Sequence, residues 1–272
     1  MSAAWVLLLH SLRRVRTITW IIGLLLALLQ IVLTLVATSI DKSGQFATLG
    51  MLMPDFVKAI LGPAVASFLS FAGIVSLGYF DPPVLVAIIG LTITVSTRIA
   101  FEVESGFLDV VLARPIARHW IVTRSILVSL VAITAVILCM VAGTTVGLKY
   151  IAPPVAELPT PALVLRLAAN LWMQCVAWSA ISIALAASAR RRGVAAGIGG
   201  VIALVAFLLD YIARLWDAAK TLVWLSPFAY FKPLELVMGD GLSLRHVIVL
   251  SAVTLTGWAL AYVLFLRRDI SR

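Results

Sequence analysis

Few side chains in this 272-residue sequence could carry out chemistry of their own. The three histidines, His10, His119 and His246, stand alone near the ends of apolar runs, and no HExxH pair or intramembrane carboxylate pair offers a hydrolytic centre. No lysine directly follows a glycine, so a phosphate-cradling GxxxxGK[ST] loop is absent and no ATPase activity is expected of this chain alone. Cys139 and Cys175 lie inside apolar runs and read as small buried side chains. Neither metal nor cofactor is expected, and the chain reads as a non-enzyme.

Within the apolar runs only weakly polar groups remain. Gln30, Thr94, Asn170, Gln174 and Ser182 stand for them as a candidate substrate path or, alternatively, as hydrogen bonds between packed helices. Asn170 and Gln174 are one turn apart and share a face. Gly193 with Gly197, Ala195 with Gly199 and Ala196 with Gly200 form small-xxx-small pairs, which suit close helix packing or self-association.

The densest set of capable groups runs from Phe101 to Arg118. Read as a helix, it places Val103, Phe107, Val110 and Val111 on one face and Glu102, Ser105 and Asp109 on the other. The helix should stop near Ala113, because Arg114 precedes a proline, while Pro115 suits the first turn of a following helix that carries Arg118 and His119. The plain alternative is an interfacial loop held by lipid phosphates.

The elements that would position these groups are membrane spans. Hydrophobic residues make up 62% of the chain and charged residues 12%, far from the quarter charged in ordinary soluble domains. Runs almost free of charge occur at Thr17–Ser39, Pro83–Thr97, Ser125–Thr145, Leu167–Ala189, Gly193–Leu209 and Val247–Leu266, each near the length that crosses about 30 Å of hydrocarbon. Arginines gather at 13, 14 and 16, at 98, 114, 118 and 124, at 190–192, and at 267, 268 and 272. These thirteen, opposed by Glu102, Glu104, Asp109 and Asp269, carry the whole net charge of +9 and mark the cytoplasmic side. A nucleic-acid partner is therefore not needed to explain the basicity.

The predicted chain is a single transmembrane domain, 1–272, all-α with six spans and integral to the membrane. Residues 1–16 form an amphipathic interfacial helix with Trp5, Leu8, Leu9 and Leu12 on its apolar face, or else a frayed tail. Residues 40–82 and 210–246 lie on the outer face, and both termini are cytoplasmic. The apolar stretch Ile60–Phe80 must not cross, since a crossing there would put the arginines at 98–124 outside. The second span must then extend past Arg98 towards Phe101.

Leu112-Ala-Arg-Pro-Ile-Ala-Arg118 after the acidic residues and Gly106, Leu225-Ser-Pro-Phe-Ala-Tyr-Phe-Lys-Pro233, and Phe265-Leu-Arg-Arg-Asp-Ile270 resemble the permease subunits of type-2 ABC transporters. Many members carry threonine where this chain has Phe107. The resemblance implies a six-helix permease half, paired with a second copy or paralogue among membrane lipids, and docked on two ATP-binding-cassette subunits that use ATP and Mg. It makes 101–118 the coupling helix, with Glu102, Glu104, Gly106, Phe107, Asp109, Val111, Arg114, Pro115 and Arg118 as coupling residues. Export across a bacterial cytoplasmic (inner) membrane is the expected activity. A non-transporting assembly or regulatory membrane protein, or a channel, are the alternatives.

Overall fold

The computed structural model describes residues 3–43, 70–107, 117–154 and 158–267. Among them the secondary structure is entirely helical: α1 (Ala3–Ser43), α2 (Phe71–Leu77), α3 (Pro82–Ser96), α4 (Arg98–Glu104), α5 (His119–Tyr150), α6 (Pro161–Ser188), α7 (Arg192–Ala213), α8 (Pro233–Val237) and α9 (Leu244–Leu266), with short 3-10 turns between α7 and α8. Six helical segments are long and apolar enough to cross a membrane: Trp5–Ser43, Phe71–Ser96, His119–Tyr150, Pro161–Ser188, Arg192–Ala213 and Leu244–Leu266. These segments contain the six apolar runs almost entirely, and the chain is a multi-pass helical membrane protein.

The spans alternate in direction. Arg14, Arg98, Arg124 and Arg192 collect at one end, where Ile99, Ile121, Ala195 and Phe265 share a core. At the other end, Ala37 of α1 packs on Phe71 and Val75 of α2, beside Leu148 of α5. Phe71 and Val75 thus lie at the end away from the arginines, and α2 forms the first part of the crossing segment Phe71–Ser96. The expectation that 40–82 lies on the outer face falls largely on residues 44–69, which lie outside the described residues.

The first correction concerns α1. The expected surface helix over 1–16 is no separate element, because one helix runs unbroken from Ala3 to Ser43. No proline or glycine interrupts its first twenty residues, and its buried positions (Leu8, Val15, Thr19, Leu26, Gln30, Thr34, Ala37) keep one seam from the tail into the membrane. That seam lies against α5. Close approach is set by Gly143 of α5, where an added Cβ would stand 2.4 Å from the Ala27 carbonyl oxygen. Four residues on, a Cβ on Gly147 would stand 2.7 Å from Thr34 Oγ1.

The second crossing is broken twice. The α3 helix has 15 residues and rises only about 22 Å, too little to span the hydrocarbon alone. Pro82 and Pro83 start it, Thr97 ends it at φ −83° and ψ 10°, and α4 then carries the chain on to Glu104. The extension towards Phe101 is present, but as a second helix. Most enclosed is α6, which begins with Thr160 accepting a hydrogen bond from Leu163 N ahead of Pro161 and buries Leu171, Trp178 and Ile183 completely.

Candidate functional site

At the arginine-rich end, α4 is tied to three spans besides its own. The Glu102 carboxylate forms an ion pair with Arg124 of α5, and both side chains are buried. Glu104 Oε2 accepts a hydrogen bond from the backbone N–H of Arg192 at 2.9 Å, so a carboxylate from α4 caps the first turn of α7. The Phe101 ring meets two guanidinium groups, Arg14 of α1 at 5.4 Å and Arg192 of α7 at 5.8 Å from its centroid. Arg192 Nη2 also donates to the Thr94 carbonyl at 3.3 Å.

This differs from the sequence reading in two ways. Glu102, expected on the polar face of that helix with Ser105 and Asp109, is buried against Arg124, whose position twenty-two residues later no helical wheel could relate to it. The helix expected to run on towards Ala113 stops at Glu104, and Gly106 follows with φ 70°, a left-handed conformation that glycine adopts without strain. Phe107 comes directly after it and is half-buried, while Arg118 is exposed just before α5. Asp109, Val111, Arg114 and Pro115 lie outside the described residues.

The weakly polar residues within the spans bond mainly to one another and to backbone. Ser96 Oγ lies 3.1 Å from Ser129 Oγ and 2.9 Å from Ser179 Oγ, joining α3, α5 and α6 at one buried point. Ser182 Oγ donates to the Trp178 carbonyl at 2.7 Å. In the amide orientation that satisfies its neighbours, Gln174 Nε2 donates to the Pro227 carbonyl (3.1 Å) and Oε1 accepts from Trp178 Nε1 (3.0 Å). Asn170 is buried one turn earlier. Gln30 is fully buried on α1, against Gly78 at the turn between α2 and α3, and its amide has no partner among the described residues. Of the five candidate side chains, Gln174 is the one described bonding to another element, through the Pro227 carbonyl, while Ser182 bonds within its own helix; the clearest tie between spans is the Ser96–Ser129–Ser179 cluster.

The small-residue pairs on α7 do not make the close approach. A Cβ added to Gly193, Gly197 or Gly200 would meet nothing within 4 Å, and one on Gly199 only side chains at 3.5 Å and beyond. Backbone contact occurs instead at Gly143 of α5 and at Gly257 of α9, where a Cβ would stand 2.9 Å from Ala180 of α6.

At the opposite end a cavity of about 470 Å³ opens between α3, α7 and α8. The 225–233 segment forms its inner wall. Ser226 Oγ donates to the Ala206 carbonyl (2.8 Å) and accepts from Phe228 N (3.2 Å), fixing a 3-10 turn that Pro227 begins. Phe228 is thereby wedged between Trp178 and Phe207, at centroid distances of 5.6 and 5.5 Å. Asp81, Asp210, Arg214, Lys232 and Glu235 line the cavity. A second, almost wholly apolar groove of about 230 Å³ shares Pro82, Leu85, Phe207 and Phe228 with it and descends between α3 and α7 to Ile93 and Gly200. The sequence reading, which looked for polar groups inside the spans, did not find this site. Its signal is the aromatic-proline run 227–233 beside the charges at 232 and 235.

Among the described residues no cluster of histidine, cysteine, aspartate and glutamate could hold a metal ion. Comparison with protein-family models and with curated proteins gives no match.

Proposed function

We propose that this chain is the permease half of an ATP-driven transporter of the type-2 ABC kind, moving cargo outward across a bacterial cytoplasmic membrane. A second copy or paralogue completes the pathway, and two copies of a separate ATP-binding-cassette subunit hydrolyse ATP with Mg. The arginine-rich end, with both termini, faces the cytoplasm under this reading, in keeping with the positive-inside rule.

The observation that carries the proposal is the attachment of α4. Through Glu102 to Arg124, Glu104 to the first turn of α7, and Phe101 to Arg14 and Arg192, one short helix grips three spans while continuing a fourth. Its last turn, from Phe101 to Glu104, opens the segment 101–118 that resembles a coupling helix. A push on that segment would reach α1, α3, α5 and α7 together, as a separate motor subunit requires. Coupling within this chain thus assigns Glu102 and Glu104 to transmission, and leaves Phe107 and the residues after it to contact the partner.

The deciding experiment is co-purification. The chain, tagged and extracted in mild detergent, is expected to bring down an ATP-binding-cassette subunit in about equal amount and to show no ATP turnover without it. A chain that purifies alone from its native membrane, and gains no partner when an ATP-binding-cassette subunit encoded beside it is co-expressed, overturns the reading.

A further inference from the structure

The cavity between α3, α7 and α8, about 470 Å³, adjoins the groove beneath it, about 230 Å³, with Pro82, Leu85, Phe207 and Phe228 lining both. The two parts of this space differ in chemistry. The groove offers almost nothing but hydrocarbon, and at Gly90 and Gly200 the helix surfaces are open, with no atom within 4 Å of where a Cβ would be. The mouth carries five charged side chains. Two of these satisfy each other, since Arg214 Nη2 donates to Asp210 Oδ2 at 2.6 Å on the same helix. Asp81, Lys232 and Glu235 make no ion pair among the described residues, although Lys232 and Glu235 are half-buried at the cavity wall.

An apolar slot leading to a charged rim fits a molecule with a chain and a head. A hydrocarbon chain gains little by leaving other lipid tails for this groove, because both surroundings are equally apolar. The groove therefore sets shape, and the rim must set preference. Two unpaired carboxylates beside one unpaired ammonium are complementary to a head that carries both signs, with its anion on Lys232 and its cation between Asp81 and Glu235. A purely anionic head would leave the carboxylates facing negative charge, and an uncharged head would leave all three groups unpaired.

We infer that this space binds one zwitterionic amphiphile, a phosphate–ammonium head at the rim with a single chain laid between α3 and α7. Its role as cargo rests on the permease reading, whereas the binding itself does not.

The test is native mass spectrometry of the purified chain released from detergent, with lysophosphatidylethanolamine, lysophosphatidylglycerol and monoacylglycerol of equal chain length as probes. The ethanolamine probe should be retained about three- to tenfold better than the other two, the scale of one satisfied charge contact. Lys232→Gln should weaken both phosphate-bearing probes. Asp81→Asn combined with Glu235→Gln should weaken the ethanolamine probe and spare the glycerol one. Gly200→Leu projects into the groove from a position where an added Cβ meets nothing within 4 Å, so it should reduce all three while shifting the thermal midpoint little. Equal retention of the three probes, or ethanolamine binding indifferent to these variants, overturns the inference. Failure of the chain to associate with an ATPase while these results hold would sink only the permease reading.

Discussion

Glu102 of α4 and Arg124 of α5 form an ion pair from which water is nearly excluded, with side-chain exposures of 10% and 5%. Such a pair contributes little net stability, since desolvating two charges consumes most of the attraction, but removing one partner strands the other. Glu102→Ala should therefore cost about 3–5 kcal/mol, while Glu102→Leu with Arg124→Leu should recover a large part of that loss. Thermal unfolding of the parent protein, Glu102→Leu, Arg124→Leu and the double variant in detergent reads the coupling directly. Additive losses would mean that the two groups do not sense each other.

A second prediction separates glycines that look alike in sequence. Gly143→Ala puts a methyl group 2.4 Å from the Ala27 carbonyl oxygen, which forces α1 and α5 apart and should cost about 1–3 kcal/mol. Gly197→Ala meets nothing and should be neutral or stabilising by up to about 1 kcal/mol through helix propensity. If the two substitutions shift the midpoint equally, α1 and α5 do not approach as closely as described.

These cases show what the sequence could convey. The six crossings are legible because bilayer thickness fixes run length and the arginines fix parity, two constraints that act on a single chain segment at a time. The partner of Glu102 is not legible, since a helical wheel reports which residues share a face and not which face meets Arg124. The same limit hides which small-residue pairs pack: Gly143 and Gly147 lie in a span no more glycine-rich than α7, and only the arrangement of α1 against α5 distinguishes them. Continuity of α1 was obscured by reading Arg13, Arg14 and Arg16 as a boundary, although a long side chain can reach the interface without bending its helix.

A third prediction concerns the three serines. Ser96 shares hydrogen bonds with Ser129 and Ser179, and in a membrane interior such bonds average about 0.6 kcal/mol each. Ser96→Ala should lower stability by about 1 kcal/mol, and Ser129→Ala by about half as much. Ser96→Ala introduced into the Ser129→Ala/Ser179→Ala background should then cost almost nothing. A full-sized cost in that background would place the Ser96 hydroxyl in some other contact.

The last prediction addresses transmission at the arginine-rich end. Glu104 is exposed, and its described hydrogen bond goes to the Arg192 N–H at the start of α7. Glu104→Gln keeps a shape able to accept that bond but removes the charge that favours the positive end of the helix, so stability should fall by only about 0.3–1 kcal/mol. If α4 passes movement from an ATPase to α7, this variant should still bind its ATPase partner, while cargo-stimulated hydrolysis falls severalfold against an unchanged basal rate. Phe107→Asp should behave differently, because it places a charge on the half-buried ring position where the chain leaves α4 for the proposed contact, and partner binding itself should be lost. Co-purification yield separates the two effects, and ATP turnover with and without cargo measures the first. Were both variants to assemble and transport like the parent protein, α4 would be a structural tie between spans and coupling would have to enter the bundle elsewhere.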